Sequence, residues 1–302
     1  MQAFDSLSRD IQQYIYDKGW PSLTSIQNAA IKQVANTDHN LILSAPTASG
    51  KTEAAFIPAL NSVEDWETGL KVLYISPLKA LINDQFQRIS ELSEYLDIPI
   101  TRWHGEVSQA QKRKVVNQPK GVLLITPESI EGMLVNRPGE AQHLFKGVEW
   151  IIIDELHSFL GTERGIHLQS LLQRISQFMQ EPRFIAMSAT LNKKDFGYAK
   201  AFFGSQRDTD ILVDRDKNDL LITIDYTSGE AGPFIARESL AAIYQYSKTE
   251  TMLIFPNSRN RVEEITHKLD KMAKKENAPI RYFAHHSSVD KLLREEVEFF
   301  AK

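Results

Sequence analysis

The chain contains no cysteine, which excludes disulfides and thiolate metal sites. No apolar run approaches the ~18 residues that a membrane-spanning helix needs. The start, MQAFDSLSRDIQQYIYDKGW, lacks the basic opening and apolar stretch of a secretory signal. A cytoplasmic protein that makes no membrane contact is the resulting expectation. Excess positive charge is missing too: 35 basic residues face 39 acidic ones, for a net charge of -4. That argues against a protein coated in positive charge and leaves room for a local basic groove. No internal repeat or low-complexity tract occurs. At 302 residues the chain exceeds what one hydrophobic core usually supports, so two domains are expected.

What recurs is a short β-branched apolar run, then a small or polar cluster, then a helical pattern. The runs are Leu41 to Ser44, Val72 to Ile75, Ile100 to Trp103, Val122 to Ile125, Trp150 to Ile153 and Phe184 to Met187. Amphipathic stretches such as Ala80 to Tyr95 and His167 to Met179 lie between them. Apolar strands separated by helix-length segments predict a doubly wound α/β domain, a parallel sheet covered on both faces. Ligands of such a sheet bind beyond the carboxyl ends of its strands. The rhythm breaks after Gly204, and the charge-rich stretch Ser205 to Asp219 reads as a linker. Strands at Leu221 to Tyr226, Met252 to Phe255 and Ile280 to Ala284 are expected next. They alternate with helices at Ile235 to Tyr246, Arg261 to Lys274 and from Val289. This predicts a first domain over 1–207 and an unfinished second α/β lobe over 208–302.

Ala45-Pro46-Thr47-Ala48-Ser49-Gly50-Lys51-Thr52 follows the first strand and opens a helix. It fits G-x-x-x-x-G-K-[ST] except that Ala45 replaces the first glycine. In such a loop successive backbone N–H groups wrap phosphates, Gly50 permits close approach, Lys51 reaches the β- and γ-phosphates and Thr52 ligates magnesium. The bland alternative is a chance loop with a surface lysine. Asp154-Glu155 ends the strand Trp150 to Ile153. Alone it reads as a solvated helix start with favourable dipole placement. Paired with the phosphate loop, Asp154 becomes the magnesium carboxylate, partly through water, and Glu155 the base that deprotonates the attacking water. ATP and Mg2+ are thus the expected cofactors.

With these residues and further motifs in order, the sequence resembles the superfamily 2 helicases. Asp154-Glu155-Leu156-His157 has the DExH form, and Ser188-Ala189-Thr190 matches motif III, which couples hydrolysis to strand binding. Ser76-Pro77-Leu78-Lys79-Ala80-Leu81 matches motif Ia; His104-Gly105 and Thr126-Pro127-Glu128 match the other strand-gripping loops of the first lobe. Ile254 to Arg259, with Asn257, Ser258 and Arg259, resembles motif IV. The Lhr-like (long helicase-related) group is the nearest match, through Ser76 to Leu81, Asp154 to His157, Gly161 to Gly165 and His285-His286-Ser287. The resemblance covers essentially the whole chain. It implies RecA-like lobes, ATP hydrolysis coupled to binding of single-stranded or partly duplex DNA or RNA, and movement 3′ to 5′ along one strand.

The same resemblance reads Gly19 to Gln27 as a Q motif whose Gln27 amide pairs with the adenine edge. Phe4 either covers the base or is a helix-packing aromatic. Lys79, Arg102, His104, Arg137, Arg164 and Arg259 are candidate backbone contacts, each also readable as a solvated surface charge. Lys112-Arg113-Lys114 reads as a solvated helix face. His285-His286 lacks the further ligands of a metal site. Motifs V and VI, with the arginine that contacts the γ-phosphate, do not occur, and neither does any Q-x-x-G-R-x-x-R segment. The expectation is a truncated motor with feeble autonomous hydrolysis and a self-associating second lobe. A non-hydrolysing, ATP-gated nucleic-acid scaffold is the alternative. A metabolic P-loop kinase accounts for neither Ser188-Ala189-Thr190 nor Thr126-Pro127-Glu128.

Overall fold

A computed structural model describes residues 3–47, 49–214, 223–224, 235–286, 288–290, 292–294 and 296–297. Ala48 and Ser287 lie outside the described residues, as do most of the strand expected at Leu221 to Tyr226 and part of the helix expected from Val289. The chain divides into two compact units, Met1–Asn218 and Asp219–Lys302.

The first unit opens with helices α1 (Arg9–Asp17) and α2 (Ser25–Asn36). It continues through β1 (Asn40–Ser44), α3 (Lys51–Ser62), β2 (Gly69–Ile75), α4 (Lys79–Tyr95), β3 (Ile100–Trp103) and α5 (Gln109–Asn117). Then come β4 (Lys120–Ile125), α6 (Pro127–Asn136), α7 (Pro138–Phe145), β5 (Trp150–Ile153) and α8 (Glu163–Ser176). It closes with β6 (Arg183–Ser188), α9 (Phe196–Ala201) and β7 (Thr209–Val213). The strands form one 7-stranded sheet in the order β3-β4-β2-β5-β6-β1-β7, and every pairing is parallel. The sheet is the doubly wound architecture expected from the apolar runs.

Both faces are covered, which is why the inner strands read as unbroken apolar runs. On one face Leu41, Leu43, Val72, Tyr74, Leu124 and Ile152 pack under α1 to α4, through Ile11, Ile31, Phe56 and Ile82. On the other, Leu73, Ile75, Leu123, Ile125, Ile151 and Ile153 pack under α6 to α9, through Ile130, Leu144, Leu171 and Phe202. Helix starts follow local chemistry: Thr24 and Gln27 form a reciprocal capping box on α2. Thr126 caps α6 with Pro127 at its first turn, where a missing N–H costs nothing.

The expected linker is a correction. Thr209–Val213, inside it, is a strand of the first sheet and pairs with β1 from Asn40↔Thr209 to Ser44↔Val213. The unit boundary accordingly falls at Asn218–Asp219, beyond the expected 207. In the second unit α10 (Arg237–Ser247) and α11 (Arg259–Glu276) enclose a small core of Leu240, Tyr244, Ile265, Leu269 and Ala273. No strand occurs among its described residues, contrary to expectation at Met252 to Phe255 and Ile280 to Ala284. Ile254, Ile280 and Tyr282 do pack on the helices, whereas Leu253 and Phe255 are 75% and 85% exposed. The alternation in the sequence is real, but a strand also needs a hydrogen-bonded neighbour.

Candidate nucleotide and nucleic-acid site

Because the sheet is parallel, the carboxyl ends of its strands share one edge. There β1 leads into Ala45 to Gly50, β2 into Ser76-Pro77, β3 into His104-Gly105, β4 into Thr126-Pro127, β5 into Asp154-Glu155 and β6 into Ala189-Thr190. The topology therefore gathers motifs that lie far apart in sequence.

Gly50 begins α3 with φ 82°, a left-handed conformation that glycine adopts without penalty. A Cβ at this position would meet Gln27 Nε2 at 2.5 Å. Thr24 Oγ1 donates to Ser49 O at 3.2 Å and Gln27 Nε2 to Gly50 O at 3.4 Å, so the start of α2 braces the loop. Gln27 Oε1 accepts from Thr24 N at 2.9 Å. The Gln27 side chain, only 4% exposed with its residue, is thus engaged inside the protein at both amide ends. Phe4 packs partly buried on the first core cluster, the helix-packing alternative for that residue.

Lys51 Nζ donates to the carbonyls of Ala45 and Pro46, both at 2.7 Å. Burial lowers its pKa, while the carboxylates of Glu155 and Asp154 pull in the opposite direction. Thr52, buried, donates its hydroxyl to Gln85 Oε1 at 3.0 Å. Asp154 is buried at the end of β5; its Oδ2 accepts from the Tyr74 phenol and its Oδ1 from Glu155 N at 2.9 Å. Burial raises the Asp154 pKa, and the Tyr74 hydrogen bond opposes that shift. Glu155 is held at φ 48°, ψ 47°, a left-handed conformation unusual for a glutamate and common at functional sites. His157 Nδ1 lies 3.3 Å from Glu155 Oε2 and 3.4 Å from Ser188 Oγ. Ser188 donates onward to Thr190 O at 2.8 Å, and Ala45 N to Ser188 O at 3.2 Å. The Ser188–Thr190 segment and the loop after β1 are therefore linked directly.

These residues fit a magnesium–nucleotide. Ser49 Oγ is buried without a hydrogen-bond partner, an unsatisfied polar atom in the loop, and Glu155 Oε2, also without a hydrogen bond, has the His157 ring 3.3 Å away. Thr52 and Asp154 offer the hard oxygen donors that magnesium takes alongside phosphates and water. No cluster of three or more metal-ligating side chains occurs among the described residues. His286 pairs with Glu263 at 2.7 Å.

A groove of ≈ 590 Å³ lies along the β2, β3 and β4 ends, lined by Pro77, Leu78, Lys79, Ala80, Gly105 and Thr126, with Glu128 and Ser129 at its side. Of the expected strand contacts, Pro77, Lys79, Gly105, Thr126 and Glu128 line it; Ser76 is fully buried. His104 is 4% exposed, and burial lowers its pKa while the Glu106 carboxylate opposes that shift. Arg164 is committed as well: it donates to Glu128 Oε1 at 2.6 Å and to Pro77 O at 2.6 Å. It fastens the β2 loop to the β4 loop. Arg102 donates to Asn83 at 2.9 Å and Arg137 pairs with Glu140. In the second unit Asn257, Ser258 and Arg259 are exposed; Ser258 caps α11, and Arg259 donates to Ser288 Oγ at 3.1 Å. Tyr74 and Gln85 were not readable as site residues. The signal for Tyr74 is a hydroxyl inside the apolar run Val72 to Ile75, which must find a buried partner.

No helix among the described residues is long and apolar enough to cross a membrane. A family model described as DEAD/DEAH box helicase matches residues 24–196. The ATP-dependent helicase Lhr-Core of Sulfolobus acidocaldarius is 32% identical over 282 residues, covering 86% of this chain and 32% of that protein. Its counterpart in Saccharolobus solfataricus is 30% identical over 302 residues, covering 92% of this chain and 34% of that protein. The solved structure of Mycobacterium smegmatis helicase Lhr bound to ssDNA and AMP-PNP matches with a TM-score of 0.82 at 26% identity, over 99% of this chain and 40% of that one. The chain thus spans only part of the length of its relatives. With the segments Ala45 to Thr52, Asp154-Glu155 and Ser188 to Thr190 on one sheet edge, and the family model matched across them, the chain belongs to the DEAD/DEAH box helicase family.

Proposed function

We propose that this chain is the ATP-binding core of a nucleic-acid helicase or translocase, which binds ATP with magnesium, holds a single strand of DNA or RNA by its backbone, and couples the two. The observation that carries this reading is the shared edge. Lys51, Asp154 and Glu155 stand on the same row of strand ends as the groove lined by Pro77, Lys79 and Thr126. The Mycobacterium smegmatis relative is bound to ssDNA and AMP-PNP, which supports both ligands. When bound, the magnesium–nucleotide supplies the phosphoanhydride and the cation that offsets its charge.

The chain's own residues do the rest. Loop N–H groups between Thr47 and Thr52 would bind phosphate oxygens, and Lys51, now on the Ala45 and Pro46 carbonyls, would turn to them. Thr52 and Asp154 would hold the cation. Glu155, positioned by its backbone, accepts the proton of the attacking water, and His157 with Ser188 and Thr190 connects that event to the neighbouring strand end. Gln27 braces the loop from below and favours adenine only where its remaining N–H is free to bond. Lys79 meets the backbone phosphates; Arg164, neutralised by Glu128, shapes the loops that do so. Asn257, Ser258 and Arg259, exposed on the second unit, are further candidates for backbone contact. These 302 residues hold no Q-x-x-G-R-x-x-R segment, and an arginine finger is worth roughly 10³–10⁵ in rate, so hydrolysis by this polypeptide is weak. That same feature favours, as the second reading, an ATP-gated clamp that binds without turnover. Exposed Leu253 and Phe255 give the second unit a surface for self-association.

Fluorescence anisotropy with labelled single strands of DNA and RNA, with and without AMP-PNP, tests the proposal. The expected binding is sequence-tolerant and tightened by nucleotide, with log affinity falling by about 0.7 per decade of salt for each phosphate neutralised. Strong preference for one base sequence, or no response to nucleotide, overturns it. Steady-state ATPase with and without the strand separates motor from clamp.

A further inference from the structure

The two magnesium-ligand residues come from different elements, Thr52 from the start of α3 and Asp154 from the end of β5. Each is bonded to one neutral, buried side chain, and both of those belong to the continuous segment β2–α4. Tyr74, on β2, donates to Asp154 Oδ2. Gln85, on α4, accepts from Thr52 Oγ1 at 3.0 Å. The connection between β2 and α4 and the first turn of α4, Pro77 to Ala80, line the groove.

The geometry of each bond suits positioning. Tyr74 pairs across the ladder with Ile152, and strand alternation puts Asp154, two residues on, over the same face as Tyr74. The phenol ring is held by Phe56 of α3, with centroids 5.5 Å apart. With Tyr74 on Oδ2 and Glu155 N on Oδ1, both carboxylate oxygens are fixed and the plane of the group cannot rotate. A cation needs a lone pair from the Thr52 hydroxyl, so the hydroxyl proton must go to an acceptor. Gln85 Oε1 is that acceptor, and it turns a lone pair of Thr52 outward toward the loop.

We propose that Tyr74 and Gln85 are positioning residues for the magnesium–nucleotide site, and that β2–α4 carries strand engagement in the groove to that site. This rests on the ATP–magnesium reading above. A strand drawn against Pro77 to Ala80 shifts the one segment that bears both partners, and the two ligands respond together.

The test titrates a fluorescent (N-methylanthraniloyl) ATP into the full chain, first in EDTA and then across a magnesium series, with and without an oligo(dT) strand. It uses wild type, Tyr74→Phe, Gln85→Leu, Gln85→Glu and, as control, Lys51→Ala. Tyr74→Phe and Gln85→Leu are expected to keep the affinity in EDTA and to raise the magnesium midpoint about tenfold, the low end of what losing a bonded partner behind a metal ligand costs. Gln85→Glu, which retains the acceptor, is expected to restore the wild-type midpoint. Both deletions should shrink the factor by which oligo(dT) tightens nucleotide binding. Wild-type midpoints in folded Tyr74→Phe and Gln85→Leu overturn the positioning role, and an undiminished oligo(dT) factor overturns the coupling. Should either deletion fail to fold, a Gln85→Glu midpoint matching folded Gln85→Leu or Tyr74→Phe, with no rescue, overturns it equally. Absence of any magnesium-dependent binding in wild type, with Lys51→Ala identical to it, overturns the underlying nucleotide reading instead.

Discussion

Gly50 and Glu155 both occupy left-handed backbone, at φ 82° and 48°, and the difference between them is instructive. At Gly50 the conformation is free, but the space is not: a Cβ would meet Gln27 Nε2 at 2.5 Å. Gly50→Ala is expected to cost about 2 kcal/mol, from strain plus displacement of the Gln27 brace, and to weaken fluorescent ATP binding by at least tenfold. Unchanged binding in a melted-and-checked, folded variant would contradict the bracing role. At Glu155 the strain is borne by a residue whose Oε2 is buried without a hydrogen bond. Glu155→Gly should therefore raise thermal stability, by about 1 kcal/mol, while Glu155→Gln leaves ATP binding intact and eliminates residual turnover. Melting curves and single-turnover hydrolysis check the pair; a turnover rate in Glu155→Gln equal to wild type rules out Glu155 as the base. The placement of Lys51, Asp154 and Glu155 at strand ends was legible because apolar strand runs directly precede the segments that carry them. The burial of His104 and the commitment of Arg164 to Glu128 were not, since both depend on residues brought close only by the sheet.

At the scale of elements, α6 and α8 are joined through one carboxylate. Glu131 on α6 accepts from Arg174 Nη1 at 3.1 Å and also from Nη2, and lies 2.9 Å from His167 Nε2, both partners being on α8. The Arg174 hydrogen bonds, then that of His167, lower the Glu131 pKa to about 2. A carboxylate depressed in the folded state stabilises fully above its unfolded pKa of 4.5, and that stabilisation is lost as pH falls toward 2. The Glu131 side chain is 30% exposed, so solvent screening limits the effect to about 1 kcal/mol. Glu131→Gln is expected to lower the urea midpoint at pH 6 and to close most of that gap by pH 3. A gap independent of pH over this range would assign the loss to packing. Elements themselves were readable in proportion to their burial. Strands β1, β2, β4, β5 and β6 are covered on both faces and announce themselves as apolar runs. The edge strand β7 has one neighbour, and Val213 at its end is 42% exposed; with aspartates at 208, 210 and 214 it looks like a linker.

On the scale of the molecule, the two units differ in what holds them. The first closes a 7-stranded sheet between two helical layers; the second has a core of a few residues around Tyr244 and Leu269, marginal against the entropy of ordering it. Hydrogen exchange should be slow in Val122 to Ile125 and Trp150 to Ile153 and fast in Met252 to Ala284. Equal protection in both, for a preparation shown to be monomeric, would mean that the smaller core suffices. The edge strand has a mechanical consequence. The chain leaves the first unit through β7, which is laddered to the phosphate-loop strand from Asn40 to Ser44 and fastened at its exit by Asp214 N on Ser44 O at 2.8 Å. A tug on the chain beyond Asp214, directed along the strand, loads this ladder in shear, where its hydrogen bonds share the force and do not unzip in turn. The tether is anchored at Ser44, one residue before the loop proposed to hold phosphate, so tension and the proposed nucleotide site meet on a single strand.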